Sequence, residues 1–86
     1  MTSAEFEQAA KKAAAEALGE EAGICEDDLE TVWFAHVLGF KKCLLFAPKK
    51  PGCYIEITYN RNRQEIYVDI YNKAKNILLA WKTKEE

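Results

Sequence analysis

Residues 53–71, CYIEITYNRNRQEIYVDIY, alternate apolar and polar side chains on both sides of a polar break at Asn60 to Arg63. This alternation is typical of a β-hairpin with one buried and one open face. An even number of loop residues pairs the apolar positions with one another: Ile57 with Ile66, Ile55 with Val68, and Cys53 with Ile70. The hairpin therefore sorts most side chains of the second half of the chain into core or surface.

The chain has 86 residues, which is enough for a single domain over residues 1–86 with one modest core. It has no run of about 18 apolar residues, and its alanine-rich start lacks the basic and continuous apolar regions of a signal peptide. We expect a soluble, cytoplasmic protein that does not bind membranes. Three cysteines, Cys25, Cys43 and Cys53, are odd in number and not closely paired, which favours reduced thiols.

Charge is distributed unevenly along the chain. Residues 1–30 carry a net charge of -7 and residues 31–86 a net charge of +5, so that the total is -2. A continuous basic stripe is not the dominant feature, which disfavours nucleic-acid binding as the first hypothesis. The two halves are instead expected to attract each other.

The first element is predicted to be a helix from about Ser3 to Leu18. Its apolar side chains recur at three- and four-residue spacing, namely Phe6, Ala9, Ala10, Ala13, Ala14, Ala17 and Leu18. Thr2 followed by Glu5 is a capping-box pattern, and Gly19 is suited to a helix C-terminus. A mostly alanine stripe indicates close approach to a sheet.

An acidic connection follows, from Glu20 to Glu30, in which Ile24 and Leu29 are the only substantial apolar residues. Carboxylates cluster at Glu26, Asp27, Asp28 and Glu30, and hard cations bind such clusters. The EF-hand spacing and its central glycine are absent, however. A solvated acidic loop is the preferred interpretation.

Four strands are predicted next, at Thr31 to Leu38, Lys42 to Ala47, Cys53 to Tyr59, and Glu65 to Tyr71. Gly39-Phe40 and the Pro51-Gly52 pair supply the turns. With even loops throughout, one apolar face contains Trp33, Ala35, Val37, Leu44, Phe46, Cys53, Ile55, Ile57, Tyr59, Ile66, Val68 and Ile70.

A last helix is predicted from near Asn72, because Ala74, Ile77, Leu78 and Trp81 form a helical stripe. Lys82, Lys84 and the terminal acids are interpreted as a frayed end. Both helices need an apolar surface. The predicted fold is therefore α+β, a two-layer α-β-β-β-β-α sandwich with both helices on one face of a four-stranded antiparallel meander.

The opposite, open face of the sheet is the candidate interaction surface. It is predicted to carry Val32, Leu38, Cys43 and Thr58 together with the candidate contact residues Phe34, His36, Leu45, Tyr54, Glu56, Tyr67, Asp69 and Tyr71. Aromatic patches are enriched at interfaces, which favours a protein partner or self-association as a homodimer. The alternative is that these residues are simply good strand formers and that the loop of residues 20–29 folds over the apolar half.

Enzymatic and metal chemistry find little support. The predicted turn places His36 opposite Cys43, the beginning of a nucleophilic pair, but no orienting acid or oxyanion-hole loop is evident. A zinc site from Cys25, Cys43, Cys53 and His36 fails because Cys43 and Cys53 are predicted on opposite sheet faces. Glu56 and Asp69 neighbour each other without a pocket that would perturb their pKa values. We expect no enzyme activity, no cofactor and no metal.

Single-stranded nucleic acid is the alternative ligand. A basic rim of Lys41, Lys42, Arg61 and Arg63 is predicted at one end of the sheet, close to the open-face residues Tyr54 and Tyr67. Basic grooves beside aromatic side chains are typical of single-strand binders. Glu56, Glu65 and Asp69 lie between the tyrosines and would repel phosphate, so this alternative is disfavoured.

The second half also resembles a known family. Its pattern is Tyr54-x-Glu56-x-Thr58-Tyr59-Asn60 followed by Glu65-Ile66-Tyr67-x-Asp69-x-Tyr71-x-Lys73, with Trp33 and a Lys-x-Leu-Leu run at Lys42 to Leu45 upstream. This resembles a family of small uncharacterised phage and prophage proteins of Gram-positive bacteria, a domain of unknown function, over about residues 26–78. Gly39-Phe40 and residues 48–53 depart from its pattern. The resemblance implies a mobile-element context in a bacterial host cell and an accessory protein that binds a host or phage protein, for example to inhibit a host defence nuclease.

Overall fold

The computed structural model describes residues 2–81, which form one helix and one four-stranded antiparallel sheet. Helix α1 spans Ser3–Leu18, and 3-10 turns at Glu20–Ala22 and Glu26–Asp28 lead into the sheet. The strands are β1 (Glu30–Val37), β2 (Phe40–Phe46), β3 (Cys53–Asn60) and β4 (Glu65–Asn72), adjacent in chain order. The predicted α+β class and the meander are confirmed.

The first helix begins and ends as its sequence predicts. The Thr2 amide donates to the Glu5 carboxylate at 2.9 Å, and the Glu5 amide donates to the Thr2 hydroxyl at 3.1 Å. These bonds satisfy two of the free amides at the helix start. Gly19 ends the helix with a φ of 82°, which lies in a region open to glycine. The predicted helix from Ser3 to Leu18 is therefore confirmed.

One face of the sheet packs against α1 and is here called the helix-side face. From α1, the core receives Phe6, Ala10 and Ala14, which recur every four residues along the buried stripe. The fully buried residues that meet them are Cys43, Leu45, Cys53, Ile55 and Ile57 of the sheet and Ala47 of the loop after β2. Small alanine side chains let the helix backbone approach the sheet closely, as the composition of the stripe indicates.

The β3–β4 hairpin has the predicted faces with a different pairing. Ile57 lies opposite Val68 and Ile55 opposite Ile70, which is two residues from the predicted register. Because side chains alternate with a period of two, a two-residue shift leaves every side chain on its predicted face. The loop is closed by Asn60, whose side-chain oxygen accepts the amide of Asn62 at 3.0 Å.

The face assignment of β2 was wrong. Leu45 pairs with Ile55 and Cys43 with Ile57, so Leu45 and Cys43 lie in the core while Leu44 points away from the helix. The reason is the loop, because an odd number of residues, 47–53, separates the paired residues Phe46 and Tyr54. Two successive turns shape this loop, with the Lys50 amide bonded to the Ala47 carbonyl and the Cys53 amide to that of Lys50. A difference of one residue in the length of this loop turns every side chain of β2 to the opposite face of the sheet.

The first strand is reversed together with β2. The turn consists of Leu38 and Gly39, not Gly39 and Phe40, and both residues have positive φ, 48° and 83°. A bulge at Val32 then changes the register between Thr31 and Trp33. The predicted core residues that lie instead on the face away from α1 are Trp33, Ala35, Val37, Leu44 and Phe46.

The predicted second helix is absent from the described residues. Asn72 is the last residue of β4, and residues 73–81 have no regular secondary structure. The Lys73 amide donates to the Gly52 carbonyl at 2.7 Å, which continues the strand pairing past the expected start of the helix. A helix of this length is also marginal without a surface to pack on. The two-helix sandwich is therefore not found, and the predicted frayed end at Lys82 and Lys84 lies outside the described residues.

Truncation of neighbouring leucines tests the strand reversal. We expect Leu45→Ala to lower the free energy of unfolding by about 2–5 kcal/mol, because it leaves a cavity in the core. The matched variant Leu44→Ala should cost less than about 1.5 kcal/mol, since this side chain is only partly buried on the other face. Urea denaturation measures both. An equal or larger loss for Leu44→Ala would contradict the register.

The tight β1–β2 turn offers a stabilising change. Leu38 has a φ of 48° and is 92% exposed, so its side chain buries little apolar surface while its backbone is strained. Leu38→Asn creates the Asn-Gly sequence that this turn geometry prefers and should stabilise the protein by about 0.5–1 kcal/mol. Leu38→Ala is the control and should give no comparable gain. A Tm unchanged by Leu38→Asn would show that the turn has another conformation.

Candidate interaction surface on the open sheet face

The face of the sheet that points away from α1 is here called the open face. By strand register it consists of Trp33, Ala35, Val37, Phe40, Lys42, Leu44, Phe46, Tyr54, Glu56, Thr58, Tyr67, Asp69 and Tyr71. Among residues 2–81, no helix or strand covers it. Of the predicted contact residues, five lie here: Tyr54, Glu56, Tyr67, Asp69 and Tyr71.

Three predicted contact residues lie on the helix-side face instead. The Phe34 ring contacts Phe6 of α1, with a centroid separation of 5.6 Å. Leu45 is fully buried, and His36 shares the face of Phe34. All three were assigned from the reversed strands β1 and β2, so the same one-residue difference in the loop explains each error.

Aromatic side chains are the main feature of the open face. Trp33, Tyr54 and Tyr67 are 41%, 38% and 46% exposed, although each lies within a strand of the sheet. The Phe46 and Tyr54 rings lie 5.5 Å apart across neighbouring strands. Sequence analysis missed Trp33 and Phe46 because β2 is apolar at both odd and even positions. Only the exact loop length before Cys53 could have assigned them.

The charges on this face are arranged around its tyrosines. Glu56 and Asp69 lie opposite each other on β3 and β4, and Lys42 approaches Glu56 at 3.4 Å. The Tyr67 hydroxyl donates to the Glu65 carboxylate, and this hydrogen bond raises the pKa of Tyr67. Tyr67 is therefore a neutral hydroxyl at physiological pH. The β4 side of the open face is acidic, while Lys42, the basic residue of this face, lies near the Glu56 carboxylate.

A shallow apolar pocket extends the surface toward the β1–β2 turn. It is lined by Ala35, Val37, Leu38, Phe40 and Lys42. Val37 is 62% exposed and Phe40 39%. The apolar area therefore continues from the centre of the sheet to its end.

The loop of residues 20–29 does not cover the open face, contrary to the alternative drawn from the sequence. Ile24 and Leu29 are buried in the same core cluster as Phe6, so the loop packs on the helix side. The Asp28 carboxylate accepts the Cys25 amide at 2.9 Å and lies 3.2 Å from the Lys49 ammonium. These contacts lower the pKa of Asp28 and join the acidic and basic halves of the chain.

The predicted His36–Cys43 pair does not form. His36 lies opposite Lys41, and Cys43 lies opposite Phe34. Cys43 is fully buried, and burial raises the pKa of its thiol to about 11. A thiol with this pKa is protonated at neutral pH, so it is a poor nucleophile.

Cys43 and Cys53 share the helix-side face, which corrects their predicted placement on opposite faces. They are nevertheless separated along the sheet, since Cys43 lies beside Ile57, which is about 13 Å along β3 from Cys53. Cys25 is exposed in the connecting loop. Within residues 2–81, no group of three or more histidine, cysteine or acidic side chains is arranged to hold a metal.

The predicted basic rim is divided between two faces. Lys42 belongs to the open face, whereas Lys41 pairs with Tyr59 on the helix side. The pKa of Glu5 is lowered mainly by its hydrogen bonds with Thr2, and the charge of Lys41 adds to this effect. Arg61 and Arg63 are exposed in the β3–β4 loop at the same end of the sheet. The four bases thus share an end of the molecule but not one surface.

Comparison with known families identifies the chain. The model of a family of unknown function, DUF6275, matches residues 4–81, and the chain belongs to this family. No significant match was found among curated proteins or among solved structures. Within the described part of the chain, no helix is long and apolar enough to cross a membrane.

Cysteine reactivity tests the core assignment. In the folded protein at pH 8, we expect iodoacetamide to modify exposed Cys25 while Cys43 and Cys53 stay protected. Peptide mass spectrometry after timed alkylation measures each site, and the denatured protein is the control in which all three react. Rapid alkylation of native Cys43 would contradict its burial.

The free energy of unfolding should fall as the pH rises from about 9 toward 11, because the Cys43 thiol ionises more readily in the unfolded chain.

Proposed function

We propose that this protein is a non-enzymatic protein-binding module that contacts its partner through the open face. The observation that carries the proposal is the number of large apolar side chains on this face that are exposed or only partly buried. Trp33, Leu44, Phe46 and Tyr54 neighbour one another on β1 to β3, and Tyr67 and Tyr71 lie on β4. Water solvates such a surface poorly, and tryptophan and tyrosine are enriched among residues that dominate binding energy. The biological role we infer is that of a small phage or prophage accessory protein, a modulator or inhibitor of a host protein. The sequence resemblance supports this context.

The chemistry of the face defines the partner. Trp33, Phe46 and Tyr54 favour an apolar or aromatic centre on the opposing surface. Asp69 is exposed on β4 of the same face, and a lysine or arginine of the partner would complement it. The burial of the Cys43 thiol, which lies opposite Phe34 and not opposite His36, supports a binding role over a catalytic one.

Binding of single-stranded nucleic acid is less favoured by this geometry. Lys41 and Lys42 lie on opposite faces, so the basic rim does not form one groove beside the tyrosines. Glu56 lies next to Lys42 at 3.4 Å and offsets its charge. Phosphate would also approach Asp69 on the same face.

A filter-binding titration with single-stranded DNA at low salt should accordingly show no binding, whereas strong and steeply salt-dependent binding would replace the protein-partner proposal.

Charge substitutions on the two sheet faces test the proposal. Tagged wild-type protein is used to isolate partners from the bacterial host, and the affinity for the recovered partner is then measured with purified components. Tyr67→Glu and Trp33→Glu should each weaken binding at least tenfold, because they place a charge in an apolar contact. His36→Glu is the matched control, since it adds the same charge to an exposed position on the helix-side face.

Thermal melting shows whether each variant folds. Reduced affinity with an unchanged Tm supports the open face as the contact surface. Equal losses for His36→Glu and Tyr67→Glu, or undiminished binding by both open-face variants, would contradict it. Failure to recover any partner from the host, with nucleic-acid binding in the filter assay, would do so as well.

A further inference from the structure

The segment of residues 73–81 carries large apolar side chains that the structure leaves in solvent. Ile77, Leu78, Leu79 and Trp81 are 61%, 95%, 77% and 85% exposed. The DUF6275 match extends through residue 81, so this segment is part of the unit that defines the family. Its apolar content therefore requires an explanation within the domain.

A complementary apolar strip on the helix-side face of β4 is only partly covered. Ile66 and Val68 are partly buried against the core, whereas Ile70, further along this edge strand, is 41% exposed although Ile55 opposite it is fully buried. Helix α1 is the one helix on this face among residues 2–81, and it leaves the β4 edge partly open. Because this strip belongs to the helix-side face, it is separate from the surface proposed above for partner binding.

The segment and the strip match in pattern and in length. Ala74, Ile77, Leu78 and Trp81 lie on one side of a helix, so a helical segment would present a continuous apolar stripe. Residues 74–81 wound as a helix would be about 12 Å long. Ile66 and Ile70 are about 13 Å apart along β4. One short helix would thus span the strip from Ile66 to Ile70 and cover its exposed end.

The direction of the chain after β4 favours docking of the 73–81 segment on the strip of a second molecule. The Lys73 amide is bonded to the Gly52 carbonyl at 2.7 Å, and a Cβ on Gly52 would meet the Lys73 Cβ at 3.2 Å. Lys73 thus extends β4 by one residue, and residues 74–81 beyond it are all exposed, so the segment does not pack on its own chain in the structure. A return onto its own β4 would require a reversal within the few residues before Ile77, whereas an outward path needs none.

We propose that two copies of this chain form a dimer by exchanging the 73–81 segment, which folds as a short helix on the Ile66–Val68–Ile70 strip of the other copy. The exchange is symmetric, so each molecule both donates a segment and accepts one. The exchanged segment of the other copy would supply the second helix that the sequence predicts beside α1 on the helix-side face. Docking also removes the exposed apolar side chains from water and stabilises a helix that is too short to form alone.

Mass measurement over a wide range of protein concentration tests the exchange. Wild type should shift from the mass of one chain to that of two. Leu78→Glu should remain a monomer, and because Leu78 is 95% exposed its replacement cannot disrupt the core of the single chain. Ile70→Glu should also remain a monomer, while Val32→Glu, an exposed position on the opposite edge strand, should dimerise like wild type.

Trp81 fluorescence distinguishes exchange from docking within one chain. In a Trp33→Phe background, emission from Trp81 should shift to shorter wavelength as the dimer forms. A monomer with concentration-independent, blue-shifted emission would show docking on the same chain and overturn the proposal. A monomer with solvent-like emission at every concentration would overturn it too.

The test also separates this dimer from contacts of the open face. Tyr67→Glu should leave the exchanged dimer intact, because Tyr67 lies on the other side of the sheet. A dimer lost in Tyr67→Glu but retained in Leu78→Glu would contradict segment exchange. Failure of exchange would leave the open-face proposal unaffected, and loss of the open-face partner would leave exchange unaffected.

Discussion

The contact of the Phe6 ring with the sheet determines which face of the molecule is interior. Phe6 is the largest fully buried side chain of α1, and its ring lies 5.6 Å from that of Phe34 and 6.3 Å from that of Tyr59. The other buried residues of the stripe, Ala10 and Ala14, add close packing but little area. Once Phe6 occupies this position, the residues beneath it become the core and the opposite face stays open.

Most of the fold could be predicted from local patterns. The helical spacing and the Thr2–Glu5 capping box predict α1 correctly, and alternation predicts the faces of β3 and β4 even though the pairing differs by two residues. The faces of β1 and β2 could not be predicted in this way. Leu44 and Leu45 are equally apolar, so their assignment depends on whether the loop between β2 and β3 has an odd or an even number of residues. That length is set by two consecutive turns, which sequence periodicity does not describe.

The same limit explains how much of the candidate surface was found. Tyr54, Glu56 and Tyr67 come from the hairpin with clear alternation and lie where predicted. Trp33 and Phe46 come from the reversed strands and were assigned to the core. Relative to the prediction, the open face loses Phe34 and Leu45 and gains Trp33 and Phe46. It is therefore more aromatic than the sequence indicated. Periodicity likewise predicted a helix after β4, but so short a helix is stable only when it is packed, and residues 73–81 are exposed in the structure.

The central claim is that α1 packs on the face that carries Phe34 and Leu45. Nuclear Overhauser effects from the Phe6 ring in a labelled sample measure this most directly, because they report neighbouring protons in solution. The structure predicts contacts from Phe6 to the rings of Phe34 and Tyr59. Contacts from Phe6 to Trp33 or Phe46 instead would contradict this packing, because they would show that α1 covers the opposite face.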